Sequence, residues 1–198
     1  QIPREKQDEF ACNSHKKAVA AVESGKFKDE IVPLNVRIRK DGQWHEIVFD
    51  TDEGPRADTT VEGLSKLRPV FDPKGTVTAG NASQINDGAA AVVVMAEEVA
   101  KERGLEPIAY VREWAVAGVP PDIMGIGPVA AVPKLLDKAG LTLAEIDLVE
   151  INEAFASQSI YCVNELGLDP EKTNVNGGAI ATGHPLGATG AILTVKIL

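Results

Sequence analysis

The sequence predicts an α/β fold built on a layered, largely parallel sheet, and three features lead to that expectation. Short apolar runs alternate with stretches of helical period from about residue 76 onward. The helical stretches end at glycines, among them Gly104, Gly140 and Gly167. The run Asn86–Met95 is apolar without alternation, as suits a strand covered on both faces.

Taken in order, Gln7–Ser24 reads as a helix, with Phe10, Ser14, Ala18, Ala21 and Val22 recurring at three- and four-residue steps and Gly25 as its stop. Ile31–Arg39 and Trp44–Phe49 alternate apolar and polar around Asp41-Gly42, a strong hairpin signal. This hairpin stands outside the strand–helix alternation and looks like an insertion. A short helix is expected near Thr60–Leu67, opened by the capping pattern Thr59-Thr60-Val61-Glu62. Strands are then expected at Thr76–Ser83, Asn86–Met95, Ile108–Val116 and Ile146–Ile151. Helices are expected at Ala96–Gly104, Val129–Gly140 and Asn152–Leu166, with a last one after the glycine-rich loop Gly177–Gly190.

Composition narrows the function. The 198 residues are 44% hydrophobic and 25% charged, ordinary for a globular chain. A net charge of −9 with no basic stripe argues against a nucleic-acid partner. No apolar run nears the ~20 residues that span a bilayer, so no membrane partner is expected. Cys12 and Cys162 make neither a metal spacing nor a disulfide framework, so no metal is expected and a reduced intracellular, cytoplasmic setting is the simplest reading. The chain starts without methionine and closes on an apolar helical stretch without a stop, so a portion of a longer protein is expected.

Two segments carry chemistry. Glu150-Ile151-Asn152-Glu153-Ala154-Phe155-Ala156 puts polar groups where a buried strand meets a helix, at the strand end where ligands collect in α/β sheets. Asn152 reads either as the helix N-cap or as an amide that orients a water or an oxyanion. In Gly177–Gly190, glycines flank His184-Pro185, and the proline holds His184 extended so that its ring can project. The bland alternative is a tight turn with a hydrogen-bonded histidine. The helix that follows turns its free amides toward the same place, which favours negative charge there.

Together, Asn152-Glu153-Ala154-Phe155-Ala156 and Gly177-Gly178-Ala179-Ile180-Ala181-Thr182-Gly183-His184-Pro185-Leu186-Gly187-Ala188-Thr189-Gly190 resemble the motif pair of the thiolase family. Asp52-Glu53-Gly54-Pro55-Arg56, Leu67-Arg68-Pro69-Val70-Phe71, Gly75–Ser83, Asn86–Ala90, Ile123–Pro128 and Ile146–Glu150 resemble further thiolase segments in the same order.

The resemblance implies a thiolase-like layered α/β/α fold, incomplete in this length. Residues 1–75 would be the remainder of the CoA-binding loop insertion, 76–106 the end of the N-terminal domain, and 107–198 a truncated C-terminal domain. It implies an acyltransferase that works through a cysteine acyl-enzyme, on acyl-CoA and CoA as substrates and with no separate cofactor, in a homodimer or homotetramer. By the same resemblance His184 is the base, and it shares an oxyanion site with a water held by Asn152. Arg56, Leu67, Ala79, Ser83, Met124 and Phe155 would line the CoA and acyl path. Both catalytic cysteines of the family match positions outside residues 1–198, so the chain alone is expected to be inactive. Ile192 stands where the family usually has arginine. A non-catalytic thiolase-like module that binds acyl-CoA or lipid is the alternative, though such a module needs no base beside an oxyanion donor.

Overall fold

The computed structural model describes residues 2–198. The first helix, α1 (Arg4–Glu23), is the hub of the packing, touching three later helices. It ends as the sequence indicates, with the reversal taken by Gly25 at φ 76°. One stripe of α1 is apolar and places Ala11 and Cys12 in a core with Leu64, Ala156 and Ile180. Burial of a residue such as Ile180 contributes about 1.5–3 kcal/mol. Another stripe is polar yet buried, with Gln7, Asp8, Ser14 and His15. Those groups need partners inside the protein. Asp8 takes Arg4 Nε at 2.7 Å and Asn81 Nδ2 at 3.0 Å, and His15 Nδ1 accepts the Arg56 amide at 3.1 Å.

Strands β1 (Leu34–Lys40) and β2 (Gln43–Phe49) form the expected antiparallel hairpin, in the register Leu34 opposite Phe49 and Lys40 opposite Gln43. Its turn has Asp41 at φ 52° and Gly42 at φ 82°, the double positive φ that such a two-residue turn requires. Helix α2 (Val61–Ser65) is capped by Thr60, whose hydroxyl accepts the Gly63 amide at 3.0 Å. Helices α3 (Glu97–Glu102), α4 (Gly127–Ala139), α5 (Ala156–Leu166), α6 (Ala179–Thr182) and α7 (Thr189–Ile197) follow. Short 3-10 turns at Pro121–Ile126 and Leu143–Glu145 flank α4. Gly104, Gly140 and Gly167 all take positive φ, and the last two cap α4 and α5. Among the described residues no helix is long and apolar enough to cross a membrane.

The strand expectations for 76–83, 86–95, 108–116 and 146–151 need correction. These segments form no ladders here; what remains are isolated bridges, Pro69 with Thr78, Ala82 with Phe155, and Val149 with Thr173 in parallel. Apolar content selects a strand, but a ladder also needs a second backbone alongside. Residues 86–95 and 108–116 have none, and Val93 and Ile108 are 86% and 87% exposed.

Candidate active site

Two chain reversals build the site. Where Val149 runs parallel to Thr173, the Asn174 amide donates to the Val149 carbonyl at 2.9 Å. The Asn174 side chain then continues the pairing, its Oδ1 taking the Ile151 amide at 2.8 Å and its Nδ2 donating to the Ile151 carbonyl at 2.9 Å. The chain leaves this bridge at Asn152. Helix α5 begins only at Ala156, with Phe155 in the cap position and no side-chain cap. The N-cap reading of Asn152 is therefore wrong: three residues of extended chain separate it from the helix, and its carboxamide is free for another task.

The second reversal is the loop between α6 and α7. Gly183 has φ 95°, a region closed to most side chains, and a Cβ there would also overlap the Asn86 carboxamide. The His184 amide donates to the Gln84 carbonyl at 3.1 Å, and the Gln84 side chain reaches the carbonyls of Gly54, Ile180 and Ala181 at 3.0, 3.2 and 2.8 Å. Residues 84–88 thus form the wall on which this loop rests, and a Cβ at Gly88 would press on Pro185.

The two reversals bring Asn152 and His184 together, with Nδ2 of the asparagine 3.2 Å from Nε2 of the histidine. On its other side the ring places Nδ1 2.7 Å from Thr189 Oγ1. That hydroxyl also lies 3.0 Å from the Pro185 carbonyl, to which it donates. A hydroxyl has one proton, so if it donates to Pro185 the ring must donate from Nδ1. This pattern places a ring proton at Nδ1 and leaves Nε2 facing the Asn152 amide group. The Asn152 Oδ1 is buried and has no hydrogen-bond partner in the protein. An unsatisfied buried acceptor costs about 1–3 kcal/mol, so the position favours a ligand or water that can donate.

Leu67, Ala79, Ser83 and Phe155 belong to segments that meet one another, with Ala82 bridging Phe155, three residues beyond Asn152. A Cβ on Gly80, next to Ala79, would fall 2.6 Å from Leu67 Cδ1. The Ser83 amide donates to the Ala154 carbonyl at 3.0 Å, and Phe155 meets Phe71 edge-on with ring centroids 6.1 Å apart. Arg56 joins the arrangement through its backbone on His15, with its side chain exposed. Met124 sits on the 3-10 turn whose neighbour Gly125 faces Gln158 of α5, and it is 75% exposed. Cys12 and Cys162 are both buried; their Sγ atoms point at the carbonyls of Thr59 and Gly125, at 3.4 and 3.5 Å. Burial pushes the Cys162 thiol above its ordinary range.

Sequence reasoning missed Thr189, Gln84 and Glu153. Glu153 is 2% exposed, and burial pushes its carboxyl up while Ser14, Asn174 and the Ile180 amide hold it down. Glu150 is pushed up to about 7, by burial first and then by the charge of Glu153. The available signal was a glutamate next to Asn152 between apolar residues, where an unpaired charge would be costly.

The backbone and these paired loops define a thiolase-like α/β fold. The chain belongs to the thiolase family: the family's N-terminal domain matches residues 1–98 and its C-terminal domain residues 105–198. It is 55% identical to a 3-ketoacyl-CoA thiolase of Bacillus subtilis, with all of this chain and 52% of that one covered. It is 57% identical to an acetyl-CoA acetyltransferase of Escherichia coli, covering 49% of it. Among solved structures, the Bacillus anthracis acetyl-CoA acetyltransferase superposes with a TM-score of 0.89 at 53% identity, over 98% of this chain and 48% of that one. Human mitochondrial 3-ketoacyl-CoA thiolase gives 0.86 at 44% identity, over 99% and 48%. The chain spans about half the length of the curated relatives it matches.

Proposed function

We propose that the protein is an acyltransferase that moves an acyl group between CoA thioesters through a cysteine acyl-enzyme, by thiolysis of a 3-ketoacyl-CoA or, in reverse, condensation of acetyl-CoA. The carrying observation is the 3.2 Å approach of Asn152 Nδ2 to His184 Nε2, reached from loops 32 residues apart. The lone pair at Nε2 takes the proton of a cysteine thiol, and the thiolate adds to the 3-keto carbonyl of the substrate. The C2–C3 bond then breaks, C2 is protonated and acetyl-CoA leaves. CoA thiol takes the acyl group from the cysteine and returns the enzyme to its starting state.

Once protonated, Nε2 becomes a donor and, with a water hydrogen-bonded to Asn152 Oδ1, stabilises the carbonyl oxygen as it gains charge. A preorganised donor of this kind is worth about 2.7–4 kcal/mol. Leu67, Ala79, Ser83 and Phe155 form the wall along which the pantetheine arm lies, Arg56 meets the nucleotide end, and Met124 borders the acyl group. The nucleophile comes from outside these 198 residues, since Cys12 and Cys162 are buried against backbone carbonyls. The 198-residue chain alone is accordingly inactive.

The test is acetoacetyl-CoA thiolysis by the whole protein. His184→Ala is expected to abolish acyl-enzyme formation while the melting profile stays native, and Asn152→Ala to lower kcat by about 10²–10³. Retained burst labelling by a thioester substrate in His184→Ala would reject the assignment, as would turnover above background by the 198-residue chain.

A further inference from the structure

We propose that Glu153 is a positioning residue, whose buried carboxylate locks the Asn152 segment and the His184 loop into the one arrangement in which their side chains meet; this rests on the function proposed above. Glu153 follows Asn152 directly, so wherever its carboxylate is held the Asn152 backbone is held too. Oε2 accepts from Ser14 Oγ of α1 at 2.6 Å and from the Ile180 amide of α6 at 3.3 Å. Oε1 accepts from Asn174 Nδ2 at 2.9 Å. The Ser14 hydroxyl in turn accepts the Gly178 amide at 3.1 Å, so α1 and the carboxylate together hold Gly178, which caps α6, and Ile180 in its first turn. Helix α6 has no side-chain cap of its own, and His184 lies two residues beyond its last turn.

Ser14 and Glu153 together thus tie α1, the Asn152 segment and the start of α6 by hydrogen bonds. Gly178 has no room for a Cβ, because that atom would overlap the Glu153 carboxylate. The glycine before α6 is thus required by the glutamate, since its own backbone is extended at φ −135° and would accept other residues. Asn174 cannot follow the carboxylate if it moves, since its own amide is tied to both backbone groups of Ile151. The carboxylate offers acceptors only, which three donors require. An amide in its place sets one N–H against either Asn174 Nδ2 or the Ser14 and Ile180 donors, and the two loops shift apart to relieve it.

The experiment measures kcat and KM for thiolysis in Glu153→Gln, Glu153→Ala and Ser14→Ala of the whole protein, each per folded molecule as judged by circular dichroism. His184→Ala serves as the reference. Misplacement by about 1 Å costs roughly 100-fold in rate. The expected falls in kcat are therefore about 10-fold for Glu153→Gln, about 100-fold for Glu153→Ala and about 5-fold for Ser14→Ala, with KM for CoA within about 2-fold of wild type. A carboxylate that only supports stability would lower the folded fraction and leave kcat per folded molecule unchanged, and that result overturns the proposal. Should the Glu153 variants fail to fold, Ser14→Ala decides alone, and an unchanged kcat there overturns it. Full turnover by His184→Ala would instead sink the underlying function, and the proposal with it.

Discussion

The hydroxyl of Thr189 sets which ring nitrogen of His184 carries the proton, and so, under the proposed function, which one acts as the base; Thr189→Val tests this with almost no change in shape. Thr189 is buried, and its Oγ1 is the partner of Nδ1 at 2.7 Å while donating to Pro185 at 3.0 Å. Valine keeps the branched outline and removes the acceptor, leaving Nδ1–H buried beside a methyl group. An unmet buried donor costs about 1–3 kcal/mol. The ring can escape that cost by moving its proton to Nε2, which then can no longer accept from a thiol. Either route raises the barrier by a similar amount, and at 1.36 kcal/mol per tenfold this lowers kcat/KM by roughly 5- to 150-fold. The assay is thiolysis of acetoacetyl-CoA across a CoA titration, with Thr189→Ser alongside. Serine restores the hydroxyl and is expected within about 3-fold of wild type. A Thr189→Val enzyme with wild-type kcat/KM would refute the tautomer assignment, because Thr189 Oγ1 is the hydrogen-bond partner of Nδ1.

Two further outcomes follow from the geometry. Gly183→Ala forces a Cβ into a positive-φ position and against the Asn86 side chain; it is expected to destabilise the protein by about 1–3 kcal/mol in urea unfolding, and a stability equal to wild type would contradict the strain. Glu150 holds its proton more tightly in the folded state, up to about 7, than at the ordinary 4.5, so its ionisation destabilises the fold as pH rises through that window. The facing charges are Glu153, which adds to the effect, and Lys17 and Lys196, which oppose it. Glu150→Gln is therefore expected to raise Tm at pH 8 and to make little difference at pH 4.5. A Tm difference that does not vary with pH would exclude Glu150 as the source.

Local signals in the sequence match the structure because their causes are local. The hairpin needs positive φ at two adjacent residues, and Asp41-Gly42 supplies it within the turn itself. Thr60 caps α2 by reaching three residues forward, and Gly140 and Gly167 end their helices in place. The expected strands beyond the hairpin form no ladder, for the converse reason. Residues 108–116 have a strand's composition, but composition cannot supply the neighbouring backbone that a ladder needs. Asn152 does not cap α5 because the helix starts four residues on, at Ala156, just after the bridge of Phe155 with Ala82.

By itself the sequence determined most of the helices, the turn chemistry, the family and the two motifs that hold Asn152 and His184, since each is written in residues that are neighbours along the chain. Only the tertiary structure decided that Nδ2 and Nε2 meet, that Thr189 orients the ring, and that Glu153 binds α1 to both loops. Those partners lie 5, 32 and 139 residues apart, and even the nearest pair is joined across a bend at Pro185. The physical reason is that a hydrogen bond depends on tenths of an ångström between atoms, which is settled by packing after the chain has folded back on itself.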